Sequence, residues 1–407
     1  MDRNLRKKMW LYSLVGMLTT IVILAFARLS YGVILPFMME GLEISYKQAG
    51  YLGTTSSLGY LCTVMFAGLL AAKWGGKRTI LLGITLVTLG LIGLAFTPSY
   101  PVTFLFMLLL GIGTSFSYTP LISLLVAWFP AHKGTVIGIT TSGVGIGMLL
   151  TGMVVPSLES VFSDSGWRIS WGLFAIVSLI AGIVTFLFTK NPPTNVSSSS
   201  TKQKTSASEV YKNPKVMIVG AIYGIIGITY IIQVIFIMSF MVEAGLDTKA
   251  AGILMALNGI LSIFSGPIWG SISDVLGRKK SLMLTLSITA FSMVVPVVYP
   301  TLLGFSLHTI LISCTITGLF TLIQASSMDH VKPSEMPIAF SYVTFYFAIG
   351  QFIGPTIAGW LIEDFGGFKS AFLFSTVFLI IGLLLSIKVK NPDSVPKPVA
   401  HVDVKVT

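Results

Sequence analysis

Arg28 stands in the run from Ile21 to Phe37, among isoleucine, valine, leucine, alanine and phenylalanine. A guanidinium stays charged in any protein setting. Holding one at mid-bilayer costs about 2.5 to 3.5 kcal/mol on insertion scales, so the residue should face a watery cavity or a partner and marks function by default. The chemistry such a group offers is anion binding, since its planar fork donates two parallel hydrogen bonds to one carboxylate. The chain supplies no such carboxylate. Glu40, Glu43, Glu159, Asp164, Glu243, Asp247, Glu363 and Asp364 fall in one set of loops, and Asp2, Glu209, Asp274, Asp329, Glu335, Asp393 and Asp403 in the other. An anion arriving from outside the chain would complete the charge. The competing reading has Arg28 snorkelling to the outer interface or bonding backbone carbonyls.

The elements that must position Arg28 follow from composition. The chain has 407 residues, 54% hydrophobic and 10% charged, with a mean hydropathy of +0.88. A membrane span needs about 20 apolar residues. Twelve stretches qualify, at roughly 11–37, 48–71, 79–97, 101–127, 135–157, 168–189, 215–242, 248–271, 280–299, 302–325, 337–361 and 369–389. The first is too long for a signal-peptide core and lacks a small-residue cleavage site, so it is expected to persist as a span. The predicted fold class is an all-α membrane protein of twelve helices. Cys62 and Cys314 fall one in each half, both inside spans, and read as buried small hydrophobes rather than a disulfide or metal framework.

Charge placement orients the chain. Loops on the side of the termini carry nearly all the lysine and arginine, including Arg3, Arg6, Lys7, Lys8, Lys73, Lys77, Arg78, Lys133, Arg278, Lys279 and Lys280, against Lys47, Arg168, Lys249 and Lys369 on the other side. By the positive-inside rule both termini are expected to be cytoplasmic. The net charge of +11 then needs anionic lipid rather than nucleic acid as its partner.

Residues 190–214 are polar, serine-rich and basic, the composition of a disordered connector. They divide the chain into a bundle over 1–189, a cytoplasmic linker, a bundle over 215–389 and a tail over 390–407. Asn195-Val196-Ser197 matches a glycosylation acceptor but falls on the cytoplasmic side, where the match is fortuitous. The halves repeat. Gly68, Ala72, Lys73, Gly75, Gly76, Lys77 and Arg78 follow the second span, while Gly270, Asp274, Gly277, Arg278, Lys279 and Lys280 follow the eighth.

With that second copy the chain resembles the major facilitator superfamily, whose loop signature it matches at every key position. The first copy departs, with Ala72 at the acidic position. The resemblance covers the whole chain. It implies two six-helix halves rocking about a midplane site, with spans one, four, seven and ten lining the cavity. It also implies a gating role for Asp274, Gly277 and Arg278, with Gly68, Gly75 and Arg78 as the weaker counterpart. In the latch a carboxylate at one helix end meets the N-terminal amides and basic residues of its neighbour. The alternative is a basic turn that only fixes topology.

Two further runs narrow the resemblance. Gly111-Ile112-Gly113, Tyr118-Thr119-Pro120, Trp128-Phe129-Pro130 and Ser142-Gly143-Val144-Gly145-Ile146-Gly147 are similar to the same region of the oxalate/formate and monocarboxylate branches. Met107 stands where many facilitators carry an arginine. Phe26 to Pro36, with Tyr230 and Gly350-Gln351-Phe352-Ile353-Gly354-Pro355, resembles an uncharacterised bacterial facilitator branch.

On the cavity helices the candidate substrate-binding residues are Arg28 and Tyr31, three apart on one helical face, with Tyr118 on span four and Tyr230 and Gln233 on span seven. Asn258 on span eight, Gln324 on span ten, and Tyr346 and Gln351 on span eleven complete the set. Each has a plain alternative as an interhelical hydrogen bond worth about 0.6 kcal/mol. His308, the histidine inside a predicted span, is a candidate proton relay near the outer interface.

No phosphate-cradling loop, HExxH, CxxC or nucleophile elbow appears. Neither enzyme nor cofactor nor metal is expected. The leading expectation is a secondary transporter for a small organic anion, favouring a monocarboxylate, driven by protons or by exchange. A monomer in a bacterial cytoplasmic membrane is expected. The alternative is an efflux transporter for amphipathic compounds, its cavity lined by some of the 27 Phe and 17 Met, although a membrane carboxylate of the kind proton-coupled drug pumps use is missing. A receptor on the same scaffold would need an added domain for which linker and tail are too short.

Overall fold

A computed structural model describes residues 3–192, 207–329, 331, 332 and 335–389. Twelve helices are long and apolar enough to cross a membrane: α1 Arg3–Leu42, α2 Tyr46–Trp74, α3 Gly76–Ala95, α4 Tyr100–Trp128, α5 Gly134–Phe162, α6 Gly166–Phe188, α7 Pro214–Glu243, α8 Thr248–Leu276, α9 Arg278–Val298, α10 Leu302–Met328, α11 Ile338–Asp364 and α12 Phe368–Ser386. Each matches one stretch read from the sequence. Residues 193–206 of the linker, Asn195 among them, and the tail from 390 lie outside the described residues. The described part of the linker includes a short helix, Ala207–Tyr211.

Local chemistry sets the helix ends. Ser45 and Gln48 form a capping box at the start of α2, and Asp247 and Thr301 accept backbone N–H groups at the starts of α8 and α10. Gly75 and Gly277 break the chain between α2 and α3 and between α8 and α9. Their φ, ψ values of 88°, 146° and 84°, 153° lie in a region essentially reserved for glycine. The two loop copies share this backbone although they differ at the acidic position.

The helix pairings of the first six recur in the last six. α3–α4, α2–α4, α3–α6 and α1–α5 correspond to α9–α10, α8–α10, α9–α12 and α7–α11. Between the two groups the contacts are α2–α11, α5–α8 and α1–α7, a set that maps onto itself when the groups are exchanged.

Close approach across this boundary depends on glycine. A Cβ at Gly145 would lie 2.5 Å from the Gly259 carbonyl, and a Cβ at Gly259 would lie 2.5 Å from the Gly145 carbonyl. Gly152 and Gly252 pair the same way, as do Gly50 with the Pro355 carbonyl and Gly359 with the Tyr46 carbonyl. Such small-residue seams let membrane helices pack backbone to backbone.

These contacts lie towards one end, that of the Ser45 turn. Gly138 is two helical turns before Gly145 on the same face of α5, yet a Cβ there would meet nothing within 4 Å. Its counterpart on α8, Gly266, meets only Thr321 and Thr317 of its own half. α5 and α8 therefore diverge towards the linker end, and the structure is closed at the Ser45 end and splayed at the other.

Cys62 and Cys314 are both exposed, which corrects the reading of them as buried. In a membrane bundle the outer faces are as apolar as the interior, so an apolar neighbourhood does not imply burial.

Candidate functional site

α1 changes form where it carries its charge. Residues Ile21–Leu29 wind as a π-helix, and the Ser30 N–H reaches back five residues to the Ala25 carbonyl. Wider turns of this kind concentrate at functional sites. They also alter the angular register between Arg28 and Tyr31, which the sequence placed on one face. The Tyr31 hydroxyl instead donates 2.8 Å to the Ala49 carbonyl of α2, and its side chain is 1% exposed.

Arg28 lies deep in the bundle, surrounded by protein, while part of its surface remains accessible. That combination is the signature of a side chain lining a recess. Its Nη2 donates to Gln351 Oε1 of α11 at 3.3 Å. Its Cζ lies 4.9 Å from the centroid of the Tyr60 ring of α2, within cation–π range. Tyr60 and Gln351 occupy the midpoints of their helices, which places the guanidinium at mid-depth rather than at an interface. Among the described residues no carboxylate pairs with Arg28.

Tyr230 of α7 lies within electrostatic reach of Arg28 and belongs to a cluster of four rings. It meets Phe320 edge to face at 5.2 Å and Phe347 at 6.5 Å. Tyr223 stacks on Phe347 at 4.4 Å. Phe320 and Phe347 are 5.4 Å apart. Gln324 Nε2 donates 3.4 Å to the Tyr223 hydroxyl. From the opposite half, Tyr118 is within electrostatic reach of both Tyr60 and Tyr223. Tyr60, Tyr118 and Tyr230 share with Arg28 the property of deep placement with residual accessibility.

Of the residues singled out from the sequence, Arg28, Tyr118, Tyr230 and Gln351 converge here. Asn258, Tyr346 and His308 have partners of their own, and Gln233 is buried. Gln233 is buried within α7 at 3% exposure. Asn258 Oδ1 accepts from Ser313 Oγ at 3.0 Å, tying α8 to α10. Tyr346 pairs with the Tyr342 hydroxyl at 2.9 Å and packs against Gly220 of α7. His308 is fully buried, with Nδ1 2.7 Å from the Ser292 carbonyl and its ring against Phe372. It sits among α9, α10 and α12 inside one half rather than at an interface.

Tyr60, Tyr223, Phe320 and Phe347 were missed. Tyr223 and Tyr230 are seven apart, hence on one face of α7, and that spacing was available in the sequence. Tyr60 carried no comparable signal, because an aromatic in an apolar helix looks like any lipid-facing ring.

In the second loop copy the carboxylate at the end of α8, Asp274, faces Arg278 at the start of α9, the kind of neighbour contact a latch requires. Arg278 lies 3.4 Å from Asp274, bonds Ser273, and reaches Asp329 at the end of α10 at 3.5 Å. All belong to the second half. Lys279 donates to the Ile387 carbonyl beyond α12. Lys77, its counterpart in the first copy, donates 2.6 Å to the Phe186 carbonyl of α6, and its backbone N–H bonds Asn191 Oδ1 at 2.8 Å. In this conformation both motifs tie a hinge to the sixth helix of their own half, while Gly68 has open space around it and Arg78 is exposed.

Twelve apolar helices in symmetric groups, closed at one end around a charged recess, define a membrane transporter of the major facilitator type. The chain belongs to the family described as "Uncharacterised MFS-type transporter YbfB", which matches residues 20–387. It is 24% identical over 389 residues to a hexuronate transporter of Bacillus subtilis (strain 168), covering 90% of this chain and 91% of that one. It is 25% identical over 361 residues to monocarboxylate transporter 12 of Xenopus laevis, covering 77% and 76%. The crystal structure of a point mutant of nucleoside transporter NupG superimposes with a TM-score of 0.80 at 14% identity, covering 93% of this chain and 99% of that one. The relatives and the fold are those of transporters rather than enzymes.

Proposed function

We propose that the protein is a secondary transporter of a small organic anion, with Arg28 as the group that receives its carboxylate. The observation that carries this is a mid-depth guanidinium that, among the described residues, meets a ring face and an amide oxygen and pairs with no carboxylate, while its fork offers five N–H donors. A monocarboxylate would neutralise it. The names of the hexuronate and monocarboxylate relatives support an acidic organic cargo. Gln351 belongs to the second half and Arg28 to the first, so a carboxylate competing for the guanidinium would loosen a bond between halves. That supplies a reason for cargo to ease the rocking of one half against the other.

In this reading the two halves, 1–189 and 215–389, alternate access about Arg28. The linker end, with the basic loops and both termini, faces the cytoplasm, and the protein resides in a bacterial cytoplasmic membrane. A proton or a second anion balances the cargo. The gating residues Asp274, Gly277 and Arg278, with Gly68, Gly75 and Arg78, brace their hinges in this state and re-pair when the linker end closes.

The test is uptake by purified protein in proteoliposomes against a panel of mono- and dicarboxylates, with Arg28→Ala and Arg28→Lys. Uptake should vanish with alanine and be weakened with lysine, which keeps the charge but not the fork. Undiminished uptake in Arg28→Ala would overturn the assignment. A neutral or cationic compound as the preferred ligand would favour the efflux reading.

A further inference from the structure

We propose that the anion received at Arg28 is an aromatic monocarboxylate, its ring accommodated between Tyr60 and Tyr118 on one side and Tyr223, Tyr230, Phe320 and Phe347 on the other. The inference rests on the reading of Arg28 as the carboxylate site and concerns the rest of the ligand.

Rings gather near Arg28: Tyr60 lies 4.9 Å from it, and Phe347 is one helical turn from Gln351, the hydrogen-bond partner of Arg28 on α11. Four come from α7, α10 and α11 and contact one another at centroid separations from 4.4 to 6.5 Å. Tyr60 of α2 adds a ring beside the Arg28 guanidinium, and Tyr118 of α4 adds a ring that stays partly accessible. Rings favour offset-stacked or edge-to-face partners at these separations. A planar apolar body entering the recess meets such faces and edges on both sides.

Two of the amides beside these rings already have partners. Gln351 Oε1 accepts from Arg28, and the Gln324 amide donates to Tyr223. What remains is mainly the phenol hydroxyls of Tyr60, Tyr118 and Tyr230 and the Gln351 amide hydrogens. A sugar acid brings several ring hydroxyls, each of which needs a partner once water is excluded. A short aliphatic acid has no such need, but it offers the rings no further stacked or edge-to-face partner. An aromatic ring carrying one carboxylate satisfies both the guanidinium and the rings.

The experiment measures thermal stabilisation of the purified full chain in detergent at neutral pH by benzoate, phenylacetate, propionate, glucuronate and benzyl alcohol, since ligands that bind the folded state raise its melting temperature according to affinity. The aromatic acids should bind at least about tenfold more tightly than propionate and glucuronate, the range expected when ring contacts are gained. Benzyl alcohol should have little effect, and Arg28→Ala should abolish stabilisation by every acid. Phe347→Leu should narrow the gap between phenylacetate and propionate.

Equal or tighter binding of propionate or glucuronate that still depends on Arg28 overturns the aromatic assignment and leaves the anion reading intact. Binding of benzyl alcohol as tight as that of benzoate, unaffected by Arg28→Ala, overturns both. If none of the aromatic acids stabilises the protein while another carboxylate does, the inference fails outright.

Discussion

The two ends of the bundle are built from the same kinds of residue yet hold together by different means. At the Ser45 end the halves are joined directly. Gly145 and Gly152 seat against Gly259 and Gly252, Thr54 Oγ1 meets Thr356 Oγ1 at 2.8 Å, and Trp360 Nε1 donates 2.9 Å to the Tyr51 hydroxyl. Lys47 Nζ lies 2.7 Å from Asp364, and the Tyr46 hydroxyl donates 3.1 Å to Glu243. At the linker end the conspicuous charged bonds stay within a half, through Lys77 to Phe186 and through Arg278 to Asp274 and Asp329. The contrast teaches that the basic loops carrying the motif bond within their own half in this state, while an inconspicuous glycine face joins the two halves.

Breaking the glycine seam should produce the largest effect. Gly145→Leu or Gly252→Leu drives a side chain into backbone, and overpacking of that kind costs about 1 to 3 kcal/mol. Closure at the Ser45 end should be lost, and proteoliposome uptake should fall at least about tenfold. Gly138→Leu makes the complementary point. It meets nothing in this conformation, so its melting temperature should match the parent, yet turnover should stop if the linker end must later close on the same face. Normal uptake in Gly138→Leu would show that the two ends do not exchange roles.

Next in size is a covalent test. In a Thr54→Cys/Thr356→Cys double variant, oxidation should form a bond across the halves and halt uptake, and reductant should restore it. Failure of the pair to cross-link in membranes would mean that the Ser45 end is not closed as described.

The hinges should show a smaller and more symmetric effect. Gly277→Ala forces a Cβ into backbone that costs about 1 to 3 kcal/mol, and thermal unfolding should register the loss. Gly75→Ala should show a similar loss, since its backbone has the same conformation and only the Asn191 side-chain amide, 2.5 Å from the added Cβ, would have to shift. Equal melting temperatures for parent and both variants would refute the hinge role.

The smallest effect belongs to the charges at the Ser45 end. Lys47 and Glu363 are about one-third exposed, so Lys47→Ala should change stability little, and any change should shrink as salt is raised. Lys47→Glu, which sets like charges together, should weaken closure more and be read as slower cross-linking of the cysteine pair.

Much of this was legible in the residues. Apolar runs announce spans because backbone polar groups in lipid must be satisfied within a helix. Arg28 announced itself because a charge there is costly. The glycine that ends α8 was visible in the loop motif. The partner of Tyr31, the Ala49 carbonyl, was not legible, because the π-helical stretch alters the α-helical register that equates three residues with one face. The partners of Tyr346 and Asn258 were not legible, because a polar group in a bundle bonds whichever neighbour the packing supplies, here Tyr342 and Ser313.

The sequence by itself therefore determined the class, the twelve helices, their symmetry and the presence of a cation with no carboxylate in the spans around it, all consequences of hydrophobicity and charge that act residue by residue. Only the tertiary structure decided what Arg28 faces. Tyr60 and Gln351 are separated from it by 32 and 323 positions in the chain, and no local periodicity links residues so far apart. The aromatic cluster and the closed end share that cause. They exist because distant helices approach, within the second half for the four rings of α7, α10 and α11 and across the halves for the closed end, where shape complementarity at a few glycines sets the approach rather than any composition that a single helix could display.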